Sequence, residues 1–189
     1  MALTLDHIYG YVENGLDDDL ARWFPSAPRV SLPATTRAVE PFLSRLPSGA
    51  AASLAAFDRR VRSGSMADFL DIADWSYGFD FTANECDLLD ADYTTTTVSG
   101  DDVWSIGADG SGSYHVVLAS GQVALWFHEE QVIEGHTRFD NLDVFVWSVV
   151  RYRAVRAGAL DLASVENDFR ALAQPGVLAD EVGLLAMLR

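Results

Sequence analysis

The sequence predicts an α+β protein: a central antiparallel sheet flanked by helices, with extra C-terminal helices. Three observations lead there. Residues 102–128 hold short apolar runs parted by glycine turns, the period-two pattern of strands. From residue 141 apolar side chains recur at helical spacing. Residues 36–61 are rich in helix formers. The chain has 189 residues, 49% of them hydrophobic, enough for one sizeable core. It reads as a single domain over 1–189, with a helical region at 1–90 and a helical extension at 159–189.

Taken in order, residues 18–24 read as a short helix followed by an extended stretch around Pro25, Pro28 and Pro33. Helix formers return over 36–46 and 48–61, where Leu54, Ala55, Phe57 and Val61 form an apolar stripe. Ser65 is placed to cap a short helix carrying Phe69, Ile72 and Ala73. The threonines at 94–97 read as a strand or its entry.

Residues 102–106 read as a strand and 107–112 as a glycine-rich turn. Two more strands, 114–119 and 122–128, are joined by Ser120-Gly121, a two-residue hairpin signature. Counting outward sets Leu118 opposite Val123, Val116 opposite Leu125 and Tyr114 opposite Phe127. Those six make one apolar face. His115, Val117, Ala124, Trp126 and His128 then share the other, with Trp126 opposite His115. After Asp140, read as the N-cap, a helix spans about 141–157 and is apolar on more than one side. Gly158 stops it. Helices at about 162–173 and 178–188 follow, separated by Pro175-Gly176.

Charge narrows the partners. There are 28 Asp and Glu against 13 basic residues, all arginine, for a net charge of −15. That balance argues against binding a nucleic-acid backbone or an anionic membrane. Residues 63–137 contain 14 acidic residues and no arginine or lysine, so this segment holds nearly all of the excess. It reads either as a solvated acidic face or as a docking surface for a basic protein. Lone Cys86 suits a reducing compartment. The N-terminal residues lack a signal-peptide pattern, and no apolar run reaches the roughly 20 residues of a membrane span. The expectation is a soluble, cytoplasmic protein.

No residue pattern specifies catalysis. Gly107, Gly110 and Gly112 lead into a strand with no following lysine, unlike a phosphate loop. Asp101, Asp102 and Asp109 lack the spacing of a calcium loop. His115 and His128 have no evident third ligand. Cys86 lies between Glu85 and Asp87, a setting that disfavours a thiolate. No cofactor and no metal are expected.

Trp104-Ser105-Ile106-Gly107, the glycine-rich turn, Ser120-Gly121, the run from Val123 to Trp126-Phe127-His128-Glu129, and the helix opening at 139–145 together resemble the SUKH superfamily. That superfamily includes fungal cell-wall assembly regulators and bacterial immunity proteins. The resemblance covers about 98–150. Ser113 stands where family members often carry an acidic residue, and Leu46-Pro47 is a faint echo of the family's N-terminal Leu-Pro. It implies a non-enzymatic immunity protein that binds and neutralises a cognate toxin, often a nuclease with a basic surface. A regulatory or scaffold module without a toxin partner is the alternative. Asp101, Asp102, Asp109, Glu129, Glu130 and Trp126 are the expected partner-binding residues, with Trp75 a second exposed aromatic.

Overall fold

The chain opens with short helices α1 (Leu5–Ile8), α2 (Tyr11–Asn14), α3 (Leu16–Trp23) and α4 (Glu40–Leu43), then the longer α5 (Ser48–Arg62). The computed structural model describes residues 2–90 and 97–189. Strands β1 (Val103–Ala108), β2 (Tyr114–Leu118), β3 (Val123–Phe127) and β4 (Val132–Ile133) form an antiparallel meander in the order β1-β2-β3-β4. Helices α6 (Leu142–Arg156), α7 (Leu162–Leu172) and α8 (Pro175–Leu178) follow. The class is α+β, as the alternation of periods predicts.

Helix α6 is the centre. Every side chain from 142 to 150 is buried, so the helix is apolar all round and packs against α1, α2, α3, α5 and α7. Its N-cap is Asn141, whose side chain accepts from the Val144 N–H at 3.0 Å; the predicted cap, Asp140, lies one residue early. In its first turn, buried Asp143 accepts from the N–H groups of Gly10 and Val12 at 3.1 and 2.8 Å, and from the Ser53 hydroxyl at 2.7 Å. Helix α2 has no side-chain cap of its own, so the carboxylate of α6 caps it from across the fold.

The hairpin differs from its predicted register by one residue. Tyr114 pairs with Trp126, His115 with Leu125, Val116 with Ala124 and Val117 with Val123. The loop has three residues rather than two. The Gly121 N–H donates to the Leu118 carbonyl at 2.8 Å, and Gly121 sits at φ +89°, closing a turn that ends in a left-handed bulge. The predicted apolar face is therefore split between two faces. Tyr114, Val116, Leu118, Ala124 and Trp126 pack with Phe81, Leu88, Val103 and Ile133 on one. Val117 and Val123 pack with Trp104, Ile106, Phe139 and Phe145 on the other. Both faces pack against other parts of the chain.

Three further expectations need correction. Strand β1 runs through Gly107 to Ala108, so the turn begins at Asp109. Residues 65–73 are not helical, because their backbone pairs elsewhere: Val30 N–H donates to Met66, Asp68 N–H to Pro28 and Ala108 N–H to Leu70. Residues 178–188 do not form one helix either. After α8 the chain folds back, with Leu184 and Leu185 donating to Gly176 and Val177. Gly176 is needed there, since a Cβ would lie 2.1 Å from the Phe139 ring. Of the expected strand at 94–97, residues 94–96 lie outside the described residues, and Thr97 bridges to Leu89.

Removing the Asp143 carboxylate leaves two backbone N–H groups without a partner. Asp143→Ala should cost about 2–4 kcal/mol of stability, and Ser53→Ala about 1 kcal/mol, in urea unfolding. Equal costs for the two variants would contradict the capping role.

Candidate functional site

The acidic segment does not fold into a bare acidic surface. Arginines that are distant in sequence reach its carboxylates. Asp101 lies 4.0 Å from Arg37 and 3.7 Å from Arg45, and Asp102 lies 2.7 Å from Arg45. Asp90 meets Arg138 at 3.4 Å and Asp71 meets Arg153 at 3.2 Å. Asp109 is turned inward on its own loop, accepting from the Ser111 and Ser113 N–H groups at 2.8 and 3.1 Å. Glu129 and Glu130 are exposed in the turn after β3.

Trp126 is the plain correction. It is 4% exposed, and its indole N–H donates to the Asp87 carbonyl at 3.0 Å. The register shift turned it onto the face that residues 79–90 cover, so it is no exposed anchor. His115 and His128 likewise lie on opposite faces. His128 Nδ1 is 3.1 Å from the buried Ser113 hydroxyl.

Two features emerge on opposite sides of the sheet, reached by neighbouring residues of β2. On one side an aromatic column ends at the surface. Phe81 packs edge-on against Trp126 at 5.0 Å, Trp126 stacks on Tyr114 at 5.6 Å, and Tyr114 meets Phe79 at 5.0 Å and Trp75 at 6.3 Å. Trp75 is 53% exposed. Exposed Asp74 precedes it, and Glu85 and Asp87 flank Cys86. Burial and Asp87 push the Cys86 thiol pKa up, while burial and the nearby thiol raise the Tyr114 hydroxyl.

On the other side, a cleft of about 570 Å³ opens between β3, α6 and the segment after α8. Its walls are apolar, with Leu125, Phe127, Phe145, Val149 and Leu184 among them. His115 forms part of its floor, its ring 5.0 Å from that of Phe145. Burial pulls the imidazole pKa down to about 4; Asp109 and Asp71 oppose this, and Arg153 adds to it. Sequence reasoning missed the cleft because its walls come from segments far apart in the chain.

Among the described residues, no three His, Cys, Asp or Glu side chains gather as a metal site requires, and no helix is long and apolar enough to cross a membrane. No family model, curated protein or solved structure matches the chain.

The His115 shift has a thermodynamic consequence. Between its free value near 6.5 and about 4, the folded protein holds fewer protons than the unfolded chain, so stability falls as pH falls. Wild type should lose about 2–3 kcal/mol more than His115→Leu between pH 7 and 4. Unfolding midpoints at pH 7, 5.5 and 4.5 read this directly, and parallel profiles would refute it.

Proposed function

We propose that this chain is a non-catalytic binding protein of the immunity type, which docks a basic protein partner on the face around Trp75 and neutralises it. The observation that carries the reading is the half-exposed Trp75 at the end of an aromatic column, next to the exposed Asp74. Interfaces concentrate their energy in such anchors, where a large ring is held in place before contact and loses little entropy on binding. The excess of 28 acidic over 13 basic residues supports a basic partner, and the likeness of residues 98–150 to the SUKH superfamily supports a toxin. A cytoplasmic location fits both the lone cysteine and an immunity role.

Charge and anchor act on different rates. The carboxylates at Asp74, Glu85 and Asp87 steer the encounter, so replacing them with asparagine and glutamine slows association and flattens its salt dependence. Trp75 governs dissociation. Asp101 and Asp102 are already met by Arg37 and Arg45, so neutralising them changes association little.

The experiment is co-expression with the toxin encoded beside this chain's gene, followed by binding kinetics on the purified pair. Wild type should protect cells and bind; Trp75→Ala should weaken affinity by about 30-fold or more with the fold intact. Absence of both protection and a complex at low salt would sink the proposal. Full affinity in Trp75→Ala would move the interface elsewhere.

A further inference from the structure

We propose that the cleft between β3, α6 and the segment after α8 is a second binding site, built for a small amphiphilic cation: an alkyl or aryl amine with its apolar body between the walls and its ammonium group at the carboxylate rim. The cleft lies on the face of the sheet opposite Trp75, so the proposal stands apart from protein docking.

Size comes first. About 570 Å³ falls within the roughly 300–1,000 Å³ of small-molecule sites, well above the space one ordered water takes. The lining is largely apolar: Leu125 and Phe127 from β3, Phe145 and Val149 from α6, and Leu184 from the C-terminal segment. Val182 and Met187 stand at its edge with 57% and 43% of their surface exposed, apolar groups that a ligand's body would cover.

Polar groups inside the cleft lack partners. The Thr137 hydroxyl is buried without a hydrogen bond, and the half-buried His115 ring lines the same cleft with no hydrogen bond of its own among the described residues. Buried polar groups are nearly always satisfied, so the unmatched Thr137 hydroxyl, in an apolar cleft that His115 also lines, points to an occupant that supplies hydrogen bonds. Imidazole held neutral by burial has one nitrogen able to accept an N–H, and the threonine oxygen accepts another.

Charge decides the sign of the ligand. Asp109, Glu130 and Glu134 all line the cleft. Arg153 is the one cation among the lining residues, and it is engaged by Asp71 at 3.2 Å. Asp109 is held by the donors of its own loop, but its charge adds to those of Glu130 and Glu134. An anionic head group would therefore meet a net negative lining and one guanidinium already paired with Asp71. An ammonium group is attracted by the same arrangement.

The test titrates n-octylamine, n-octanol and octanoate into the full chain at low salt, following saturation transfer to the ligand and the His115 ring-proton shift. Octylamine should bind saturably, about fivefold tighter than octanol, with octanoate weakest. Glu134→Gln should narrow the margin of amine over alcohol. Leu125→Trp should abolish binding of all three by filling the cleft. Because that variant places a bulky ring beside the core, the double variant Val182→Ser, Met187→Ser at the exposed lip provides an independent check and should weaken octanol and octylamine alike. Trp75→Ala should bind octylamine as wild type does, which separates failure of this site from failure of the docking face. No saturable binding by any probe overturns the proposal, as does octanoate binding as tightly as octylamine. Octylamine binding that leaves the His115 resonance unmoved overturns it too.

Discussion

The fold depends on a carboxylate that belongs to one helix and completes another. Asp143 sits in the first turn of α6, where the helix dipole favours a negative group, and gives its oxygens to Gly10, Val12 and Ser53. Helix α2 has only four residues and a glycine at its N-cap, so by itself it has neither the length nor the cap to persist. Helix α5 is joined to the same oxygens through Ser53. One side chain thus fixes the positions of three helices, and Val12, Leu16 and Leu54 pack as fully buried core residues around that junction.

A second polar junction does the same work at the other side of the helix start. Gln174 is 2% exposed; its carbonyl accepts from the Asp140 N–H at 2.8 Å and its amide donates to Asp140 and to the Leu172 carbonyl. With Gly176 pressed against Phe139, this ties the C-terminal segment to the entry of α6. That segment then folds back beside β3 instead of continuing as a helix. Its spacing of Leu178, Val182, Leu185 and Leu188 fits a helix well, so periodicity alone points the wrong way. The contacts of Leu184 and Leu185 with Gly176 and Val177 override it.

Local signals were legible where the structure is local. Helices expected at 48–61, 141–157 and 162–173 lie at Ser48–Arg62, Leu142–Arg156 and Leu162–Leu172. The hairpin at Ser120-Gly121 was legible too, but not its register. Two- and three-residue loops both suit a glycine there, and the difference of one residue exchanges the faces. That single step hid Trp126 and placed His115 in the cleft. Charge failed for another reason. A stretch without arginine in the sequence is not one in space, because Arg37, Arg45, Arg138 and Arg153 return to Asp101, Asp102, Asp90 and Asp71 from outside it.

Both candidate surfaces follow from how the meander is covered. A four-stranded sheet with two apolar faces needs cover on each side, and here no single element supplies it. Residues 79–90 cover one face, held through short bridges such as Leu89 to Val132, and the aromatic column reaches solvent at the border of that cover. On the other face, α6 is drawn toward the N-terminal helices by Asp143, and Phe145 spans from it to His115. Between α6 and β3 the chain closes the gap only in part, with the irregular segment after α8. The cleft is what remains open. Its polar floor follows from strand alternation: with Tyr114 turned to the aromatic column, His115 faces the cleft.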